Sequence, residues 1–136
     1  MAMKDRSSVV IIENNQIVLI KRSWNAFVYY VFPGGGIENG ETPEDAAKRE
    51  AMEELGVGVN VNECISKVKY NGNNQYFYKA EILSGTIGTG QGDEYINKTR
   101  GRGTYLPIWV GLEKLTSIDV RPMDVALKVQ SLFHHV

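Results

Sequence analysis

Short runs of apolar residues, separated by polar turns, mark the first part of the chain. Val9 to Ile12 is a β-branched run, and Ile17 to Ile20 follows it closely. Glu13-Asn14-Asn15 lies between the two runs, and asparagine accepts the positive φ angles that tight hairpin turns require. This pattern predicts a β-hairpin at the start of the fold.

Four further apolar stretches are predicted to be strands. They are Phe27 to Phe32, Val57 to Tyr70, Gln75 to Leu83 and Tyr105 to Val110. Pro107 favours an edge or a bulge for the last of them, because proline cannot donate to a ladder. Pro33-Gly34-Gly35-Gly36 follows the first, and its glycines predict a tight loop.

Two helices are predicted. The first begins after Thr42, which can cap it, with Pro43 at the first helical position and Asp45 able to complete a capping box. It runs to about Leu55, where Gly56 supplies the stop. The second covers Val120 to Phe133. Strands mixed with two helices predict an α/β sandwich with a mixed β-sheet.

Length and composition narrow the class of protein. The 136 residues suit a single domain spanning 1–136, and 43% hydrophobic residues are sufficient for a core. The net charge of -1 argues against a partner that is polymeric nucleic acid. The lone Cys64 excludes an intrachain disulfide, and we expect it to pack within its strand. No apolar run approaches the roughly 20 residues of a membrane span, so we expect a cytoplasmic protein without membrane attachment.

The first helix carries three glutamates on one face. Glu50, Glu53 and Glu54 are related by the i, i+3 and i+4 spacing that places side chains together. On a helical wheel, Ala51, Met52 and Leu55 fall on another face, which we expect to pack on the sheet. Three carboxylates at this spacing repel one another, and a divalent cation would relieve the repulsion. Oxygen ligands favour magnesium or manganese over zinc. The alternative is an ordinary solvated face.

The context of the glutamates completes a motif. Gly35 is followed by five residues and Glu41, then by seven residues and Arg49-Glu50, with Glu53-Glu54 and Gly56-Val57 closing it. This pattern resembles the box of the Nudix hydrolase family, of which the MutT proteins are members, and every fixed position is filled. Ala51 is a soft departure, because a larger aliphatic residue is commoner there, and it concerns packing more than chemistry.

The resemblance implies a fold, a reaction and a ligand set. The fold is a Nudix-type α/β/α sandwich, and the reaction is magnesium-dependent hydrolysis of a nucleoside diphosphate linked to another group. Glu50, Glu53 and Glu54 would be metal ligands and catalytic residues, joined by the backbone carbonyl of Gly35. Glu41 would pair with Arg49 and fix the loop onto the helix.

The residues for substrate binding and for the general base are less sharply marked. We place Arg22, Arg49 and Glu41 on the substrate-binding side of the site. Arginine suits phosphate oxygens, and a surface side chain that serves solubility is the alternative for Arg22. The long Gly85 to Gly103 segment, rich in glycine, is typical of a functional loop. Glu94 within it is our candidate for the general base, with Glu50 as the alternative.

Several aromatic side chains could stack on a base. They are Trp24, Phe27, Tyr29 and Tyr76, for which core packing or surface filling is the alternative interpretation.

The substrate remains open among small nucleotide-type diphosphates. Clean-up of nucleoside triphosphates, as by MutT relatives, is our first choice. Hydrolysis of ADP-ribose, a nucleotide sugar or a dinucleoside polyphosphate is the alternative. The resemblance disfavours ADP-ribose, because family members specific for it commonly carry a proline some fifteen residues after the box, and this chain has none between Pro43 and Pro107. A non-catalytic nucleotide sensor and an isoprenoid diphosphate isomerase are alternatives of other classes. We expect a monomer or a homodimer.

Overall fold

The computed structural model describes residues 4–88 and 104–134. Its strands are β1 (Arg6–Glu13), β2 (Gln16–Trp24), β3 (Phe27–Val31), β4 (Gly34–Gly36), β5 (Val57–Tyr70), β6 (Asn73–Gly85), β7 (Thr104–Gly111) and β8 (Val120–Arg121). Its helices are α1 (Pro43–Leu55), a short 3-10 helix (Leu112–Lys114) and α2 (Met123–Phe133).

The β1–β2 hairpin is confirmed. Ile12 pairs with Ile17, and the two turn residues Asn14 and Asn15 have φ angles of 52° and 62°. Both angles lie in the left-handed region, which asparagine tolerates better than most residues. The turn therefore forms where the sequence places its two asparagines.

The central strands are buried on both faces, which explains their continuous apolar runs. Val9 and Ile11 pack in one cluster with Ala47, Ala51 and Leu55 of α1. Val10 packs on the opposite face, in a cluster that includes residues of α2 (Val125, Ala126 and Val129). A helix on each side of the sheet confirms the expected sandwich.

The sheet is mixed, as expected. Its strand order is β5-β6-β1-β2-β3-β8, with β4 paired to β1 and β7 paired to β2. The β1–β6 and β3–β8 pairs are parallel, and the other pairs of described strands are antiparallel. Pro107 lies opposite Ile20 on β7, which pairs with β2 alone among the described strands, so the predicted edge position is confirmed.

The segment Pro33-Gly34-Gly35-Gly36 was predicted to be a tight loop, and this was wrong for its three glycines. Gly34–Gly36 forms β4, antiparallel to β1, with Gly35 opposite Ser7 and Gly34 opposite Ser8. A Cβ at Gly34 would overlap Ser8 and the backbone of Ser7. The glycines are therefore needed because two backbones approach closely, and not because the chain turns freely.

The start of the second helix was also placed too early. Val120 and Arg121 form β8, which runs parallel to β3 and pairs with Tyr30 and Val31. The helix begins at Met123, directly after Pro122. Strand pairing across the sheet overrides the helical pattern at these two residues.

Cys64 is exposed, contrary to the expected packing. The pairing of β5 with β6 shifts register on both sides of this residue, between Val61 and Cys64 and between Cys64 and Ser66. Cys64 therefore lies at an irregular part of the β5–β6 ladder, and the next residue, Ile65, is the buried one. The predicted Gly85 to Gly103 loop lies outside the described residues beyond Gly88.

Helix α1 begins and ends where the sequence indicates. The Thr42 hydroxyl accepts a hydrogen bond from the Asp45 backbone N–H at 3.0 Å, and Pro43 occupies the first turn. Gly56 ends the helix with a φ of 77°, a left-handed conformation.

Replacing the cap should destabilise the fold measurably. Thr42→Ala removes the hydroxyl acceptor and should lower the free energy of unfolding by about 1 kcal/mol, measured by urea denaturation. Thr42→Ser keeps the acceptor and serves as the control, with stability close to the parent. Equal stability of Thr42→Ala and the parent would show that the cap contributes nothing.

Candidate active site

Arg49 is the centre of a compact network on α1. Its Nε and Nη2 donate to the two oxygens of Glu41 at 2.7 and 3.1 Å, and Nη2 also donates to the Gly36 carbonyl at 2.8 Å. Its Nη1 donates to Glu50 Oε2 at 2.9 Å and to Glu53 Oε2 at 3.0 Å. One guanidinium therefore joins three carboxylates and the end of β4.

Glu41 fixes the segment before the helix. Besides the paired bonds from Arg49, its Oε1 accepts the Glu38 backbone N–H at 2.9 Å. The hydrogen bonds from Arg49, followed by that from the Glu38 backbone, lower the pKa of Glu41 below its ordinary value. The same pairing with Glu41 is the main cause that raises the pKa of Arg49. Both groups are thus held in their charged forms.

The three glutamates of α1 differ sharply in burial. Glu54 is only 3% exposed and Glu50 only 9%, whereas the Glu53 side chain is 47% exposed. Met52, expected on the packed face, is instead 51% exposed, while Ala51 and Leu55 are buried as expected. The buried face of α1 therefore includes the carboxylates of Glu50 and Glu54, and it does not include Met52.

Gly35 makes room for Glu50. A Cβ at Gly35 would overlap the Glu50 carboxylate, so any other residue here would require that carboxylate to move. The register with β1 holds Gly35 opposite Ser7, whose hydroxyl donates to the Pro43 carbonyl at 2.6 Å. β1 thus anchors both β4 and the first turn of the helix.

A row of alternating aromatic and cationic side chains crosses the sheet beside Glu54. The Tyr105 hydroxyl donates to Glu54 Oε2 at 2.8 Å. The Arg22 guanidinium lies 4.7 Å from the Tyr105 ring centroid and 6.0 Å from that of Tyr29, and both tyrosines pair with Arg22 across the strands. The Arg121 guanidinium lies 4.2 Å from the centroid of the Tyr29 ring. We call these four residues the Tyr–Arg row.

A cavity of about 520 Å³ lies at the Arg121 end of the Tyr–Arg row. Its walls include the rings of Phe32 and Phe77, which meet edge to face at 5.2 Å. Arg6 also lines it and donates to the Gly34 carbonyl at 3.5 Å, next to Gly35. The cavity therefore adjoins both the Tyr–Arg row and β4.

The donor set suits a hard divalent cation, although the side chains do not already enclose one. Within residues 4–88 and 104–134, no group of three or more His, Cys, Asp or Glu side chains forms a ready metal cluster. Arg49 bonds to Glu50 and Glu53, and Tyr105 bonds to Glu54. The carboxylates share one helix face, and Glu50 lies against Gly35, so the residues fit oxygen ligation after side-chain adjustment.

Most of the predicted site residues are brought together. Glu41, Glu50 and Glu53 surround Arg49, and the Cβ position of Gly35 lies against Glu50. Glu54, on the same helix, accepts from Tyr105, whose ring contacts Arg22. Glu94 lies outside the described residues. Tyr105 and Arg121 were missed, because only strand pairing shows that they lie beside Arg22 and Tyr29.

Three of the four aromatic candidates, Trp24, Phe27 and Tyr76, lie outside the Tyr–Arg row. Trp24 and Phe27 pair at the tip of the β2–β3 hairpin and are 48% and 69% exposed. Tyr76 stacks on Tyr78 with 6.3 Å between ring centroids. Tyr29, the fourth candidate for stacking on a base, belongs to the Tyr–Arg row.

The comparisons with known proteins agree with the motif. A sequence model of the NUDIX domain matches residues 3–122. The chain is 42% identical over 60 residues to the 8-oxo-dGTP diphosphatase of Escherichia coli (strain K12), over 43% of this chain and 46% of the relative. It is 47% identical over 49 residues to the ADP-ribose pyrophosphatase of Methanocaldococcus jannaschii, over 35% of this chain and 29% of the relative. The chain thus spans less than half the length of these curated relatives.

The fold is shared over nearly the whole chain. The structure described as MutT from Aliivibrio salmonicida and Vibrio cholerae matches with a TM-score of 0.73 and 21% identity. The match covers 98% of this chain and 100% of that one. At this identity the likeness concerns the fold. No helix in residues 4–88 or 104–134 is long and apolar enough to cross a membrane.

The Glu41–Arg49 pair should contribute to stability in a pH-dependent way. The pKa of Glu41 in the folded protein is lowered from its ordinary 4.5. The contribution of the pair to stability is therefore present above pH 4.5 and is lost as the pH falls through the lower pKa of the folded state. Glu41→Gln should lower the free energy of unfolding at pH 7 by roughly 1–3 kcal/mol, the range for hydrogen bonds to charged groups. The measurement is urea unfolding at pH 7 and below pH 4, where parent and variant should converge.

Glu38→Gln is the matched control, because Glu38 forms an exposed salt bridge with Lys4. Solvent screens such a pair, so this variant should remain close to the parent at both pH values. A Glu41→Gln variant that loses no more stability than Glu38→Gln would contradict a structural role for the Glu41–Arg49 pair.

Proposed function

The chain belongs to the NUDIX family, and on this premise we propose that it hydrolyses a nucleoside diphosphate linked to another group, with magnesium or manganese as cofactor. The observation that carries the proposal is the network in which Arg49 joins Glu41, Glu50 and Glu53 beside Gly35. Every glutamate of the motif is present, which favours catalysis over a sensing role.

Four groups would hold the cation. They are the carboxylates of Glu50, Glu53 and Glu54 and the backbone carbonyl of Gly35, a residue whose Cβ position lies against the Glu50 carboxylate. When bound, a divalent cation offsets the charge of diphosphate oxygens in the transition state and makes water a stronger nucleophile.

Arg22 is proposed to bind a phosphate oxygen. Its guanidinium lies between the rings of Tyr105 and Tyr29, and its Nε is buried without a hydrogen-bond partner among the described residues. Contact with both rings restricts the side chain, so less entropy is lost when an anion binds. An anionic ligand would also supply the missing acceptor.

The cavity beside Arg121 is proposed to hold the nucleoside. Its volume of about 520 Å³ lies within the range of about 300–1,000 Å³ typical of small-molecule sites. Phe32 and Phe77 form part of its apolar wall, while Arg6 and Arg121 offer positive charge to an anionic ligand. The Tyr–Arg row then leads from this cavity towards Glu54, so that phosphates would follow it to the glutamates.

Clean-up of nucleoside triphosphates is the substrate class we propose first. The similarity to a protein named 8-oxo-dGTP diphosphatase supports it. Hydrolysis of ADP-ribose, a nucleotide sugar or a dinucleoside polyphosphate is the alternative, and the similarity to a protein named ADP-ribose pyrophosphatase favours testing the first of these. Identifying the products from a panel of these compounds with magnesium distinguishes the classes.

We also propose a cytoplasmic protein that is a monomer or a homodimer. The lone cysteine, Cys64, leaves the chain without an intrachain disulfide, which suits a reducing compartment. Cell fractionation and sedimentation analysis of the purified protein test the two statements.

Loss of a proposed metal ligand should abolish most of the activity. With magnesium, the parent should release a nucleoside monophosphate from at least one compound of the panel. Glu53→Gln and Glu54→Gln should each lower turnover by about 10² or more, because charge compensation is lost. Glu63→Gln, at an exposed position on β5, is the control and should retain the parent's turnover. Wild-type turnover of Glu53→Gln or Glu54→Gln would refute its assignment as a ligand.

The general base can be assigned by a second pair of variants. If Glu94 is the base, Glu94→Gln should lower kcat by roughly 10²–10⁴ while metal affinity stays nearly intact. Glu50→Gln should instead weaken metal binding, measured by titration with manganese. A Glu94→Gln variant within a few-fold of the parent would transfer the role to Glu50.

A further inference from the structure

Tyr105 and Glu54 meet in the interior of the protein. Tyr105 is 6% exposed and Glu54 is 3% exposed, and the hydroxyl donates to Glu54 Oε2 at 2.8 Å. A hydrogen bond to a carboxylate is stronger in such a setting than at the surface, because less water competes for the acceptor. Removing the donor would leave a buried acceptor less well satisfied.

This bond restricts the orientation of Glu54. A glutamate side chain turns about three bonds, and its helix position alone does not orient the plane of its carboxylate. Tyr105 comes from β7, which is held in register along β2 from Thr104 to Gly111. A donor carried by a strand in fixed register therefore meets Glu54 Oε2.

The ring of the same tyrosine contacts Arg22. The two residues are partners across β2 and β7, and the Arg22 guanidinium lies 4.7 Å from the ring centroid. The hydroxyl and the ring of Tyr105 thus contact different functional residues, Glu54 on the helix and Arg22 on the sheet.

We infer that Tyr105 is a positioning residue that orients Glu54 through its hydroxyl and supports Arg22 through its ring. The inference rests on the proposed function, in which Glu54 holds a divalent cation and Arg22 binds phosphate. Hydrogen-bond partners of metal ligands commonly influence affinity, since they fix the ligand and set its basicity.

The two contacts can be separated by substitution. Tyr105→Phe removes the hydroxyl and keeps the ring, so it should weaken Mn²⁺ binding by about 10-fold or more while KM stays nearly unchanged. Tyr105→Leu removes both groups, so it should weaken Mn²⁺ binding similarly and also raise KM. Tyr30→Phe is the matched control, since Tyr30 pairs with Lys21 and Val120 and packs against the core cluster that does not contain Tyr105.

The experiment measures Mn²⁺ affinity without substrate by water-proton relaxation, which also detects weak binding. Melting temperature, kcat and KM are recorded for the same proteins. The full-length parent, Tyr105→Phe, Tyr105→Leu, Glu54→Gln, the Tyr105→Phe/Glu54→Gln double variant and Tyr30→Phe are compared. If Tyr105 acts through Glu54, Tyr105→Phe should lower Mn²⁺ affinity in the parent but have little further effect in Glu54→Gln.

Two results would overturn the inference while the proposed function stands. One is a Tyr105→Phe variant whose Mn²⁺ affinity is within twofold of the parent, whatever its melting temperature. The other is a full additional loss of affinity when Tyr105→Phe is combined with Glu54→Gln. A parent that neither binds Mn²⁺ nor hydrolyses any compound of the panel would instead refute the proposed function, and the inference with it.

Discussion

The guanidinium of Arg49 holds together acidic groups that would otherwise repel one another. It donates to Glu41, Glu50 and Glu53 and to the carbonyl of Gly36, so the loop, β4 and the helix meet at one side chain. A lysine could not replace it, because only the planar fork of arginine offers donors in so many directions at once. The acids of the network still outnumber the guanidinium, and this excess of negative charge favours a cation.

Burial divides the glutamates of α1 into unequal partners. Glu54 and Glu50 lie against the sheet, while Glu53 faces outward. Charges interact more strongly where water is scarce, so a cation placed among these residues would be attracted most by the buried pair. The exposed glutamate can move and exchange partners more freely, which suits a ligand that must adapt to substrate and product.

The sequence predicted those features that depend on neighbours along the chain. The hairpin turn at Asn14 and Asn15, the cap at Thr42 and the grouping of glutamates follow from local spacing. The errors concern contacts between distant segments. Gly34–Gly36 became a strand because β1 lies beside it, and the register shifts on both sides of Cys64 depend on how β5 pairs with β6. Tyr105 has no local signal, because its role depends on lying opposite Arg22 and reaching Glu54.

The Tyr–Arg row and the Arg49 network have different origins in the chain. Gly35 to Val57 is one continuous segment, whereas Arg22, Tyr29, Tyr105 and Arg121 come from four separate strands. Evolution can therefore alter the strands proposed to contact a ligand while leaving the continuous segment intact. A descendant could then inherit the reaction unchanged while its substrate preference diverges. Gene duplication followed by changes in these strands would yield enzymes with the same chemistry and different metabolic roles.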